Sequence, residues 1–278
     1  MKGGDTSIHS NTKFAMPKNS NLLPHPGKEK PRRTTFDNQL IELESVDSTN
    51  NYAMARIHEG MASDGLICLA HHQWAGKGQR GKTWLDEPGQ NLIMSLVIEP
   101  GNLILSQQFL FSAAVALGVL DLIQTIEREN WRIKWPNDIY WNDRKAAGIL
   151  IESIIKGKNW QFAVVGIGMN LNQESFPEEI SNAISLKQIT GSNYEPVSFA
   201  RKLVHSIQNH ISLLRMDPSK ILIEFNQSLY KRNDSVVLKR GNELIVTKII
   251  GVNENGQLLT DMGSFMNGEV DLKLNAES

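Results

Sequence analysis

Residues 71–84, HHQWAGKGQRGKTW, gather the groups that phosphate chemistry needs. Gly76, Gly78 and Gly81 would let backbone N–H groups approach an anion closely, and Lys77, Arg80 and Lys82 bring positive charge. The stretch fits two nucleotide-loop patterns letter for letter: G-x-G-x-x-G, and, ending in Lys82-Thr83, G-x-x-x-x-G-K-[ST]. Both patterns require a helix directly after the loop, because its first turn supplies N–H donors and a favourable dipole. Here WLDEPGQN follows, and Pro88 and Gly89 break any helix before the next apolar run. The stretch therefore reads as a glycine-rich hairpin, with Lys82 and Thr83 as solvated loop residues. His71 and His72 are neighbours on a strand and face opposite ways, so they make a poor metal pair, and no Cys/His cluster accompanies them. There is no G-x-S-x-G nucleophile motif.

Several elements must position this loop. The run FDNQLIELESVDSTN reads as a short strand leading into a helix capped by Asp47 or Ser48, with NYAMARIHEG as its body and Gly60 as its stop. Residues 66–70 have strand length, and 91–100 form another strand closed by Pro100. Ser106 opens an apolar helix, with Phe109, Ala113, Ala116, Leu117 and Leu120 on one face. Strands are expected at 131–135, 139–141, 146–153 and 160–168. Tight turns at Pro136-Asn137-Asp138, Asn142-Asp143 and 156–159 make them antiparallel neighbours. Two helices follow, 198–216 and 218–230, the second with Pro218 in its first turn. Beyond Arg232 short strands with an Asn255-Gly256 hairpin turn suggest a small barrel. The fold class is α+β: a mixed, largely antiparallel sheet packed with helices. Its expected parts are an N-terminal tail at 1–36, a main domain at 37–232 and a small β-domain at 233–278.

Composition narrows the class. The chain has 278 residues, 40% hydrophobic, with a net charge of −1, which gives no strongly basic surface for nucleic acid. Its one cysteine, Cys68, lies in an apolar run and reads as a buried small hydrophobe, which suits a reducing cytoplasm. No apolar stretch looks long and uninterrupted enough to cross a membrane. The first 36 residues are rich in Asn, Ser, Pro and Lys, lack a signal-peptide core, and are read as a disordered tail.

Four further motifs lie in register with the loop: DSTN (47–50), KWPND (134–138), RKAAGILIE (144–152) and VGIGMN (165–170). With QWAGKGQRGKTW, they resemble the biotin protein ligase family from about Phe36 to the C-terminus. The resemblance implies a sheet like that of class II aminoacyl-tRNA synthetases and biotin ligases, with a small SH3-like C-terminal barrel. It implies a two-step reaction: biotin carboxylate attacks the α-phosphate of ATP, giving biotinyl-5′-AMP and pyrophosphate, and a lysine of a biotin carboxyl carrier protein then attacks the mixed anhydride. ATP with Mg²⁺ and biotin are the implied substrates. The DNA-binding helix-turn-helix that some members carry has no counterpart, since the leader is short and polar, so neither nucleic acid nor membrane is an expected partner. Homodimers occur in the family.

The resemblance also assigns residues. Lys145 matches the family's catalytic lysine, an ammonium that bridges carboxylate and phosphate. Ser48, Thr49, Asn50 and Gln73 would hydrogen-bond the ureido ring of biotin. Gly76, Lys77, Gly78, Gln79 and Arg80 would hold the adenylate, and Trp84 would anchor the loop or stack on a ring. Gly148, Ile149 and Leu150 would offer backbone and apolar walls. Asn137, Asp138 and Asn170 would lie on the ATP side, Asn170 near the phosphates or Mg²⁺; no protein metal site is assigned. The loop departs from the family's usual G-R-G-R-R-G, because Lys77 and Gln79 stand where arginine is common, losing bidentate geometry at one position and charge at the other. Two other readings remain: a lipoate ligase sharing the lysine and adenylate logic, and a biotin-responsive binding protein. The tryptophan of the loop and KWPND favour biotin.

Overall fold

A computed structural model describes residues 40–273; the expected tail at 1–36 lies outside the described residues. Seven strands form the main sheet: β1 (Leu40–Leu43), β2 (Ile67–Ala70), β3 (Leu92–Ile98), β4 (Trp131–Lys134), β5 (Asp138–Trp141), β6 (Arg144–Lys156) and β7 (Asn159–Met169). Their order is β1-β2-β3-β7-β6-β5-β4. Only β1 and β2 pair in parallel, through the crossover helix α1 (Thr49–His58); every other pair in the sheet is antiparallel. From β4 to β7 the tight turns dictate this result, since a connection of two or three residues can only return the chain alongside itself. The outer edge of β4 is covered by residues 228–230: Ile133 donates to Ser228 and Tyr230 donates to Ile133, both at 2.9 Å.

Alternation along the strands separates two faces. On one, Met94, Leu96, Ile149, Ile167, Trp131 and Ile133 are buried under α2 (Gln108–Gln124), whose neighbours are α4 (Pro196–Met216) and α5 (Pro218–Gln227). The α2 helix, with its preceding 3-10 turn, forms a 20-residue segment long and apolar enough to cross a bilayer by length and composition alone; this corrects the reading that none exists. Its role here is that of the core helix. Gly118 makes its closest crossing possible, because a Cβ there would sit 2.7 Å from the Ile207 Cα of α4. The other face carries α1, whose Ala53 packs on Leu66, Cys68, Val97 and Val164, with Cys68 fully buried as expected.

Boundaries shift in ways the local chemistry explains. Helix α2 begins after a 3-10 turn at Leu105–Gln107, so Ser106 does not open it. Helix α4 starts at Pro196, where the Glu195 carboxylate accepts from the N–H groups of Val197 and Ser198, and Asp217 accepts from Lys220 N at 3.2 Å to cap α5. A short helix, α3 (Leu186–Thr190), was not expected, although Ser185 and Gln188 form a reciprocal capping box readable in the sequence.

Five C-terminal strands, β8 (Ser235–Arg240), β9 (Glu243–Val252), β10 (Leu258–Thr260), β11 (Gly263–Phe265) and β12 (Asp271–Lys273), form an antiparallel sheet in the order β11-β10-β9-β8-β12. Side-chain hydrogen bonds fasten it to the rest. Asn226 of α5 exchanges a pair of hydrogen bonds with the Val252 backbone, at 2.7 and 2.9 Å, and the Trp135 indole N–H donates to Gly256 O at 2.9 Å.

Candidate active site

The face of the sheet opposite α2 carries the candidate site, and its chemistry changes along one stripe. At the β4–β6 end stand Lys134, Asp138 and Lys145; in the middle Gly148 faces Gly168; toward β3 come Gly166, Ile93 and Ser95. Lys145 joins this face because of a register shift opposite Ile139 and Tyr140. An extra residue in β6 lets Lys145 and Gly148, three apart, point the same way. The ammonium of Lys145 lies 2.7 Å from the Asp138 carboxylate and 6.0 Å from the centre of the Trp84 ring. Its strand start is clamped, since Lys145 N donates to Asn182 O at 2.8 Å and Ile184 N to Lys145 O at 2.9 Å.

Glycines on this floor are there for what lies on them. A Cβ on Gly168 would meet the Trp84 ring at 2.4 Å, and one on Gly166 would meet the Asn50 amide oxygen at 2.4 Å. Trp84 thus lies over bare strand backbone beside Lys145, with its indole nitrogen buried and without a hydrogen-bond partner. That buried donor in a cavity wall calls for an acceptor.

At the other end, the start of α1 is a satisfied polar network. Thr49 N donates to Gln73 Oε1 at 2.7 Å, and Thr49 Oγ1 to the same oxygen at 3.1 Å. Ser95 Oγ sits 2.8 Å from Thr49 Oγ1 and 2.6 Å from Asn50 Oδ1, while the Asn50 amide donates to Glu152 at 2.7 Å. Ser48 occupies the N-cap position, yet its side chain makes no capping bond and lines the cavity instead. Capping by Ser48 is therefore corrected. With its oxygen held by Thr49, Gln73 has its amide NH₂ left to offer a ligand.

The glycine loop closes over the cavity as a hairpin, with no helix after it. Lys77 pairs with Thr83, Gly78 N donates to Lys82 O at 2.7 Å, and Trp84 N to Gly76 O at 3.0 Å. Gly76 is the one assigned residue that does not line the cavity; it is the hairpin crossing, where a Cβ would meet Trp84 O at 2.6 Å. Lys77 reaches Asn51 Oδ1 at 2.5 Å, at the start of α1. Gln79 and Arg80 line the cavity, but their tips reach the C-terminal sheet. Lys82 and Thr83, expected to be merely solvated, are exposed and also border the cavity.

Asn137 and Asn170 line the cavity with their amides already engaged. Asn137 donates to Ile149 O, and Asn170 donates to Ile184 O at 3.2 Å and Lys145 O at 3.4 Å. Each holds the β6 backbone in place rather than aiming its NH₂ at a ligand. The backbones of Gly148, Ile149 and Leu150 form the wall between them.

The cavity holds about 300 Å³, a size that suits a small ligand. Sequence reasoning missed three of its walls. One is Lys134, inside the quoted KWPND; burial pushes its ammonium pKa down, Asp138 opposes, and Lys145 and Lys82 add to the depression. Its Nζ lies 3.4 Å from the Tyr140 hydroxyl, whose own pKa burial pushes up. The second wall is the segment at 180–183, and the third comes from the C-terminal sheet, with Leu238, Val270 and Asp271. No sequence signal marks either of the last two walls, because both arrive by long-range packing. His71 and His72 turn to different partners, Glu42 at 2.8 Å and Asp86 at 3.0 Å.

A family model described as the biotin/lipoate A/B protein ligase family matches residues 42–170. The bifunctional ligase/repressor BirA of Escherichia coli strain K12 is 29% identical over 240 residues, covering 83% of this chain and 73% of that protein. The biotin–[acetyl-CoA-carboxylase] ligase of Mycobacterium tuberculosis is 27% identical over 230 residues, covering 81% and 84%. Among solved structures, the biotin protein ligase of Aquifex aeolicus in complex with biotin and ATP superposes with a TM-score of 0.72 at 27% identity, covering 85% of this chain and 99% of that one. The cavity, the hairpin loop over it and these likenesses converge: residues 42–170 carry a biotin/lipoate A/B protein ligase domain, in a chain similar to biotin protein ligases along most of its length.

Proposed function

We propose that this chain is an ATP-dependent biotin protein ligase. The observation that carries the reading is the polarity gradient of one cavity. Neutral, buried hydrogen-bonding groups stand at its α1 end and two lysines at its β4–β6 end, with a glycine hairpin between. A urea ring is neutral and rich in donors and acceptors, which suits Ser48, Thr49, Asn50 and Gln73. A dithiolane has no such groups and would leave them unpaired, which disfavours lipoate. The valerate chain then runs alongside the Trp84 ring, which itself covers Gly148 and Gly168, and its carboxylate reaches Lys145.

In this reading Lys145 does the central work. Asp138 holds its ammonium until a polyanion arrives, and the ammonium then bridges the biotin carboxylate and the ATP α-phosphate. Attack forms the carboxyl–phosphate bond and expels pyrophosphate. A neutral amine of the acceptor protein next attacks the acyl carbon, AMP leaves, and the amine's proton passes to solvent. Mg²⁺ enters as MgATP, with the phosphates as its main ligands. Among the described residues no group of three or more His, Cys, Asp or Glu is gathered, so the chain's own donor set fits a metal carried by the nucleotide. The loop backbone at Gly78, with Lys77 and Lys82, contributes positive potential over the phosphates, and closure keeps water from the anhydride.

The acceptor is a lysine on a biotin carboxyl carrier protein or domain. The catalytic domain runs through residue 232, and the small β-domain that follows roofs it. The test is pyrophosphate release from ATP, Mg²⁺ and biotin, followed by labelling of one lysine on a carrier domain. Lipoate supporting the reaction better than biotin would overturn the reading.

A further inference from the structure

The tip of the glycine hairpin does not end in solvent. Arg80 adopts a left-handed backbone conformation, φ 58° and ψ 37°, which a residue with a Cβ rarely takes without something to hold it there. That conformation sends its side chain to the C-terminal sheet. The guanidinium donates to Gly268 O at 2.9 Å and stands 3.4 Å from Asp271 Oδ1. Gly268 itself has φ 100°, and a Cβ there would lie 3.4–3.7 Å from three guanidinium atoms, so the planar group rests on the bare Cα. The neighbouring Gln79 accepts from the Asn267 amide at 3.4 Å. Two consecutive tip residues thus engage one turn, 267–271, more than 180 residues away in the chain.

We propose that Arg80 is a positioning residue that latches the glycine loop to the 267–271 turn, with Asp271 and Gly268 as its seat. The function of this latch, resting on the ligase reading, is to set how long the adenylate stays enclosed. The seat is firm because the C-terminal sheet is tied back through Trp135–Gly256 and Asn226–Val252. The latch itself is light. Arg80 and Asp271 side chains are 46% and 62% exposed, so water competes for both charges and the pair opens readily. A closure that must admit two substrates and later a carrier lysine needs a contact of that kind. The latch also suits an arginine at position 80. Only a planar fork can span a carbonyl and a carboxylate at once while lying flat on a glycine.

The test uses the full chain with Asp271→Ala, Asp271→Arg, and Asp271→Arg combined with Arg80→Asp. Hydrogen exchange of the amides at 78–84 without ligand reads the latch independently of any activity. Both single variants should exchange faster, and the charge-swapped pair should return toward wild type. Release of preformed biotinyl-adenylate should quicken about tenfold in Asp271→Arg, the scale of losing one charge-assisted hydrogen bond at a partly exposed site. Pyrophosphate release at saturating substrate should fall by less. Unchanged loop exchange in both single variants overturns the latch, as does a swapped pair that exchanges as fast as Asp271→Arg. If wild type released no pyrophosphate with biotin, the ligase reading would fail and the exchange data alone would decide whether the loop is latched.

Discussion

Replacing Lys145 with alanine should remove an attraction and uncover a repulsion. Its ammonium sits 2.7 Å from the Asp138 carboxylate, at the point where the bound carboxylate and α-phosphate must meet. An ammonium about 4 Å from each of those anions contributes about 4 kcal/mol per pair at an effective dielectric of about 20. The side chain is 31% exposed, so screening takes roughly half of that and leaves about 2 kcal/mol per anion. Two anions give about 4 kcal/mol, or about a thousandfold in adenylation rate. The fold should stand, because a partly exposed ion pair contributes little to stability. In Lys145→Ala the Asp138 carboxylate faces the incoming anions without its counter-charge. Adding Asp138→Asn to that variant should therefore recover about tenfold without reaching wild type. The measurement is single-turnover formation of biotinyl-adenylate from radiolabelled ATP in wild type, both single variants and the double. A Lys145→Ala enzyme within tenfold of wild type, or a double variant slower than Lys145→Ala, would refute the bridging role.

Gly168→Ala places a methyl 2.4 Å from the Trp84 ring, which must shift by about 1 Å to clear it. Biotin affinity by calorimetry should drop about tenfold with tryptophan emission altered, and unchanged affinity would remove Trp84 from the ligand's wall. Lys77→Ala should weaken adenylate retention by about 1–3 kcal/mol, the scale of a charged hydrogen bond, and Lys82→Ala by much less; a dominant effect at Lys82 in equilibrium binding would reverse that order. Burial pushes the Asp86 carboxyl pKa up, with His72 opposing, and one carboxylate oxygen is buried without a partner. The buried anion therefore destabilises the fold at neutral pH, and the penalty is relieved as pH falls through the raised pKa. Asp86→Asn should melt higher than wild type at neutral pH, and that advantage should shrink on acidification; a constant difference across the range would contradict it.

The parts of the site that were legible in the sequence are those whose geometry is local. Tight turns gave the antiparallel meander from β4 to β7, and Pro88 with Gly89 ruled out the helix that a P-loop would need. Lys145 was recognisable from its motif, but its direction was not. It depends on an extra residue in β6, which no periodicity reveals. Asn137 and Asn170 are expected on the ATP side, and both line the cavity. In the fold both are buried and engaged by backbone carbonyls, a commitment that depends on strands far apart in the chain. The α2 helix is so apolar because it is covered by sheet on one side and helices on the other, a requirement that overlaps with that of a bilayer.

The pairing of β3 with β7 has a consequence for how the enzyme comes into being. Everything from β4 to β7, Lys145 included, is a run of neighbours that can zip up locally. The start of α1, Gln73 and the glycine hairpin belong to the N-terminal group of strands. The ladder from Leu92–Met169 to Ile98–Ala163 is the seam that joins the two groups within the sheet, and closing it means bringing together segments separated by all of α2 and three strands. Closing such a loop is entropically slow and gains nothing until the contact forms. During refolding, then, secondary structure and burial of β6 and β7 should appear well before any capacity to retain biotin. In the native state, an opening of this one seam would part the nucleophile's binding groups from the lysine that activates them, silencing the enzyme while most of its hydrogen bonds stay intact.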